Sequence, residues 1–257
     1  MKEGLSSKAS FFKLKNAIAK SSDESIKSAF ETFLKQPKTY RLEYLQAHFN
    51  CAFDGYSFLG QEDSLNQYST DLLHSFVLSK FSPVEKYPVE FASFLKSEWD
   101  SIVKTITSIE QEVISQLQIS GLEDFYNTHI GHMASCNYYP AISKNVNEPL
   151  RLSKHVDVSL FTVFVYGSAN GFSYEDEFGD IKALKVSDHC VVFPGYLLEY
   201  LTKGKIKALP HQVNLQKANQ ERYSFAFFSI PKPKQQMQFG DMNFSSDAYY
   251  KAYLNLF

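Results

Sequence analysis

Apolar residues change period near residue 130, and that change limits what this chain can become. Before it, they recur at helical steps. After Pro88, Phe91, Leu95, Trp99, Ile102, Ile106, Ile109, Val113 and Leu117 form one stripe, which predicts a single long helix stopped near Gly121. Ile26, Phe30, Phe33 and Leu34 predict an earlier helix closed by Pro37. After residue 130 the segments 158–166, 190–193 and 222–230 are short, β-branched and aromatic, with turn residues between them. Short strands of this kind suggest a sandwich or jelly roll. A last helical segment spans 247–257.

Composition narrows the function. With 257 residues, 44% hydrophobic and 21% charged, the chain can bury a core. A net charge of −2 gives no electrostatic footprint for nucleic acid or an anionic membrane, and no apolar run is long enough to span one. Cys51, Cys136 and Cys190 are odd in number and widely spaced, so the expectation is a reducing, cytoplasmic setting without disulfides. Aromatic residues reach 16%, a composition suited to strands and pocket walls.

The chemistry lies in three pairs at a spacing of two. Residues i and i+2 of a strand point to one face. His155 and Asp157 therefore project together, and His211 follows in LPHQV. Two imidazoles and one carboxylate on one face of a metal leave open positions, as non-haem Fe(II) oxygenases require. An isolated H-x-D is a weak signal that also reads as a solvated pair. Arg222 and Ser224 strengthen it: they open the most strand-like segment, and a guanidinium beside a hydroxyl can clamp a carboxylate. Ala226, Phe228 and Ile230 continue that face, so Arg222 points inward and needs a partner. Asn137 and Tyr139, held extended by Pro140, form the third pair and can both donate to a carboxylate; tyrosine packing at a strand end explains them equally well.

In order and spacing, N-Y-Y-P, H-x-D, H-x-V and R-x-S resemble the Fe(II)/2-oxoglutarate-dependent dioxygenases of the isopenicillin N synthase-like superfamily. The resemblance covers about 200 residues and is specific in the second half. It implies an α+β fold with a double-stranded β-helix (jelly-roll) core, a supporting N-terminal helical region and a short C-terminal helix. Residues 1–129 would pack on a core formed by 130–257, as one integrated domain. It implies that His155, Asp157 and His211 bind Fe(II), and that Arg222 and Ser224 bind the distal carboxylate of 2-oxoglutarate with help from Tyr139. Asn137 would contact the chelating carboxylate, and Phe228 would line the substrate side. Dioxygen would be the second cosubstrate. Tyr56 and Phe58, in a glycine-containing loop over 50–70, are candidates for a lid over substrate.

The chain departs from the family pattern in places. It is short at the N-terminus and is expected to lack the usual first strand. Gln212 stands where the family has arginine, and Phe193-Pro194-Gly195-Tyr196 replaces the usual N-x-G-D. The expected protein is a monomeric oxygenase that hydroxylates, desaturates or cyclises a small, partly apolar, amino-acid-derived metabolite. Two rivals remain open: an Fe(II) oxidase whose substrate carboxylate occupies the Arg222/Ser224 clamp without 2-oxoglutarate, and a non-catalytic jelly roll that binds a small molecule.

Overall fold

A computed structural model describes residues 12–15, 20–49, 51, 53–58, 71–141, 150–167, 171–184, 189–214 and 220–256. A short strand, β1 (Phe12–Lys15), precedes helices α1 (Lys20–Lys35) and α2 (Lys38–Leu42). Strands β2 (Gly55–Ser57) and β3 (His74–Ser79) lead to α3 (Val89–Ser97), α4 (Trp99–Leu117) and α5 (Leu122–His129). The strand-rich half follows: β4 (Ile130–Tyr139), β5 (Leu150–His155), β6 (Phe161–Gly167), β7 (Phe172–Glu175), β8 (Ile181–Ala183) and β9 (His189–Pro194). Helix α6 (Tyr196–Leu201) precedes β10 (His211–Asn214), β11 (Arg222–Pro231), β12 (Gln236–Phe239), β13 (Met242–Ser245) and α7 (Ser246–Leu254).

The strands form a seven-stranded sheet in the order β1-β9-β6-β11-β4-β3-β2, a four-stranded sheet in the order β5-β10-β7-β8 and a two-stranded sheet, β12-β13. Every pairing between these strands is antiparallel. This is the expected jelly roll, flanked by helices. Alternation along β11 explains the layering. Phe225 and Phe227 are fully buried on the helix-covered face, where Trp99 meets Phe227 with ring centroids 5.9 Å apart. Arg222, Ser224, Ala226 and Phe228 face the interior between the sheets, where they line a cavity. The apolar stripe of α1 joins the helix-side core through Ile26, Phe30 and Phe33, all fully buried.

Three expectations are corrected. The stripe after Pro88 is carried by two helices rather than one. They break at Glu98 (φ −117°, ψ −31°), whose carboxylate accepts from Ser25 Oγ at 2.5 Å. Because the break takes one residue, the apolar face continues across it, and the spacing alone does not reveal it. Helix α4 stops at Gln118 in the left-handed region, and Gly121 instead precedes α5. Finally, β1 exists: it pairs with β9 at the sheet edge, with Phe12 opposite Val192. The N-terminal region thus contributes three strands, β1, β2 and β3, to the larger sheet. Residues 59–70 of the proposed lid loop lie outside the described residues.

Candidate metal and carboxylate site

Strand pairing brings the first set together. His155 ends β5, His211 starts β10, and the two are direct cross-strand partners, with ring centroids 4.4 Å apart. Asp157 lies two residues beyond β5. One ligand atom from each of His155, Asp157 and His211 falls within 4.8 Å of the others. Asp157 Oδ1 is 3.5 Å from His155 Nε2 and 3.7 Å from His211 Nε2.

Hydrogen bonds on the far side of each group fix its orientation. His155 Nδ1 lies 2.7 Å from Ser153 O, and His211 Nδ1 lies 3.0 Å from Leu209 O. A carbonyl only accepts, so both Nδ1 atoms carry a proton and both Nε2 atoms turn toward Asp157. Thr162 Oγ1 donates to Asp157 Oδ2 at 2.6 Å and is itself bonded to Ser159 Oγ at 2.8 Å. This leaves Oδ1 as the carboxylate oxygen that faces the imidazoles.

The environment sets the charges. Burial pushes His211 down to about 4, with Phe172 stacked on its ring and Phe193 edge-on at 5.1 Å. It is therefore neutral near pH 7, as a metal ligand must be. Burial also opposes ionisation of Asp157, but His211, His155 and Thr162 outweigh it and hold the carboxyl below its usual range. Burial disfavours the imidazolium of His155, yet Asp157 and the Ser153 carbonyl prevail and raise it.

The loop carrying Asp157 is held from two directions. Tyr196 N and Leu197 N, at the start of α6, donate to Asp157 O (2.7 Å) and Ser159 O (3.0 Å). On α7, Tyr253 and Tyr249 donate their hydroxyls to Val156 O (2.9 Å) and Val158 O (2.5 Å). Gly195 permits the α6 approach: a Cβ there would come within 2.2 Å of Ser159 O.

The second and third pairs meet face to face. On β11 and β4, Arg222 is opposite Tyr139 and Ser224 is opposite Asn137. The Arg222 guanidinium donates to Ser224 Oγ at 3.1 Å and lies 4.6 Å over the Tyr139 ring. Arg222, Ser224 and Tyr139 are all buried. With the triad they line one cavity of about 570 Å³, and Phe228 also lies on its wall.

Neither of the two residues named for the lid lines the cavity. Tyr56 is 1% exposed and packs in the helix-side core. Its ring centroid is 5.2 Å from that of Phe33, and its hydroxyl bonds Arg41 and His74. Phe58 is exposed and does not line the cavity. Strand β2 turns the intervening residue, Ser57, inward. The sequence reasoning also missed Thr162 and the two tyrosines of α7.

A jelly roll enclosing two histidines and a carboxylate beside a buried arginine–serine pair defines the 2-His-1-carboxylate class of metal-binding β-helix proteins. Residues 130–231 match the family model of the 2OG-Fe(II) oxygenase superfamily. Mugineic-acid 3-dioxygenase of Hordeum vulgare is 36% identical over 95 residues, which are 37% of this chain and 28% of that protein. The fold is shared with a full-length Neurospora crassa protein solved in complex with alpha-KG and thymine (TM-score 0.72, 18% identity, 96% of this chain and 87% of that one). It is also shared with JOX2, solved with 2OG, Fe and JA (TM-score 0.73, 19% identity, 95% and 77%). No helix among the described residues is long and apolar enough to cross a membrane.

Proposed function

We propose that this protein is an Fe(II)- and 2-oxoglutarate-dependent oxygenase that oxidises a C–H bond of a small molecule. The observation that carries this reading is the convergence of two Nε2 atoms and Asp157 Oδ1 in the same cavity as the Arg222–Ser224 pair. The donor set fits the metal: both histidines present Nε2, the carboxylate is ionised, and each ligand is anchored by a second hydrogen bond. His155, Asp157 and His211 would hold the iron. Arg222 and Ser224 would bind the distal carboxylate of 2-oxoglutarate, with Tyr139 beneath the guanidinium and Asn137 toward the chelating end. Iron, when bound, would supply activation of O₂, the oxidant for both the substrate and 2-oxoglutarate, which would leave as succinate and CO₂.

The protein's own contribution is orientation and exclusion of water. Thr162 sets the rotation of the Asp157 carboxylate. Phe172 and Phe193 wall the His211 ring, and Phe228 faces the interior two positions along from Ala226 on β11. The same reading takes the chain as one functional unit and a monomer, in a reducing cytoplasm suited to cysteines that form no disulfide among the described residues.

Incubation with Fe(II), labelled 2-oxoglutarate and a pool of metabolites tests the proposal. Labelled succinate should form with the wild type and vanish with His155→Ala or His211→Ala. Oxygen consumption that does not depend on 2-oxoglutarate would instead support an oxidase whose substrate carboxylate occupies the clamp. A folded, metal-loaded protein that consumes neither would favour a binding role.

A further inference from the structure

The cavity continues well past the triad and the clamp. One row of the larger sheet reads Ser224, Asn137, Ser75 and Ser57 on four adjacent strands, each directly opposite the next. At ~4.8 Å per strand, the row extends ~14 Å from the clamp hydroxyl to Ser57. All four residues line the cavity. At the far end Ser57 is 2% exposed, and its Oγ has no hydrogen-bond partner among the described residues. A buried hydroxyl in that state is costly and marks a place where a ligand group is wanted. Gln46, which also lines this end, donates its Nε2 to Phe53 O at 3.3 Å. Strand β2 presses against it: a Cβ on Gly55 (φ +116°) would come within 2.9 Å of the Gln46 backbone.

The distribution of charge is equally informative. Among the described lining residues, the charged or imidazole side chains are His155, Asp157, His211 and Arg222. All four are assigned to iron and 2-oxoglutarate. The remaining wall offers Ser57, Gln46 and Ser135 alongside Phe53, Val77 and Met133. A carboxylate or ammonium placed there would lose hydration without meeting an opposite charge.

We infer that the molecule oxidised is uncharged, with an apolar body and an amide or hydroxyl group that meets Ser57 and Gln46, the specificity-determining residues. This rests on the dioxygenase reading, and it excludes a free amino acid with its two charges. The test uses protein loaded with Mn(II) and 2-oxoglutarate, and three probes with one body: 3-phenylpropionamide, 3-phenylpropionate and 3-phenylpropylammonium. Calorimetry should show the amide binding about tenfold or more tighter than either ion. Ser57→Ala should weaken the amide about three- to tenfold, a loss that 2-oxoglutarate affinity does not follow. Ser57→Asp should move the preference to the ammonium. An amide that does not bind, an ion that binds as tightly, or an amide affinity unmoved by Ser57→Ala overturns the inference. Failure of the wild type to take up Mn(II) and 2-oxoglutarate in the first titration would instead sink the dioxygenase reading, and this inference with it.

Discussion

Replacing Gly195 by alanine adds one carbon at the point where α6 meets the loop of Asp157. Gly195 has φ −98° and ψ −176°, so alanine accepts its backbone without strain and any cost is steric. The new Cβ would stand 2.2 Å from Ser159 O, 2.5 Å from Ser159 Oγ and 2.9 Å from Asp157 O. Real Cβ contacts begin near 3.0 Å, so the Ser159 carbonyl must retreat by about 0.8 Å. That movement strains the bonds from Tyr196 N and Leu197 N to the loop. Overpacking at about 1–3 kcal/mol and two weakened backbone bonds at about 1 kcal/mol each give a loss of about 3–5 kcal/mol. Asp157 moves with the loop, so affinity for Fe(II) or Mn(II) should fall about ten- to a hundredfold. Gly179→Ala is the control: its Cβ has open space but φ is +84°, so it should cost only about 1–2 kcal/mol and leave metal binding alone. Urea denaturation and metal titration read both effects. A Gly195→Ala protein with wild-type midpoint and wild-type metal affinity would refute the reasoning.

Other outcomes follow from the same contacts. Thr162→Val keeps the side-chain shape but removes the 2.6 Å bond to Asp157, so metal affinity should drop about ten- to a hundredfold; a change within about twofold would mean the hydroxyl does not orient the carboxylate. Arg222→Lys keeps charge but loses the fork, and 2-oxoglutarate affinity by calorimetry should fall about ten- to a hundredfold; an unchanged value would move the clamp's assignment to another ligand. Burial and the nearby Arg41 hold His74 down at about 4, against an ordinary 6.5. Between those values the unfolded chain binds a proton that the native state refuses, so stability falls as pH drops through that window. Urea midpoints at pH 7.5 and 5 should differ, and His74→Gln should shrink the gap; an equal gap in both proteins would assign the effect to other groups.

The site was legible where strand parity alone decides which way a side chain points. His155/Asp157, Arg222/Ser224 and Asn137/Tyr139 each share a face by their spacing, and β11 pairing with β4 sets the last two pairs opposite one another. Parity also explains why Tyr56 does not line the cavity. Strand β2 is three residues long, amid glycine and polar residues, so nothing local says whether residue 56 or 57 turns inward. The break at Glu98 was hidden because one non-helical residue hardly disturbs an apolar stripe. Thr162, Gly195 and Tyr253 carry no local signal, since their roles depend on the loop each one reaches in three dimensions. His132 turns toward the helices, where Nε2 lies 2.8 Å from the buried Glu110 carboxylate.

The tyrosines of α7 also impose an order in time. Val156 and Val158 receive their hydroxyl donors from residues 97 and 91 positions further along the chain. Those separations are no longer than the ones that pair β4 with β11 or β1 with β9, so sequence distance does not set the order; the tyrosines tether the loop only once α7 has docked. The sheets can therefore assemble while the ligand loop is still untethered, and ion capture becomes a late event of folding. In stopped-flow refolding, far-UV circular dichroism should recover before the capacity to bind Mn(II), and Tyr253→Phe should widen the lag. Simultaneous recovery in both proteins would show that the loop is set with the sheet, and that α7 arrives at a site already built.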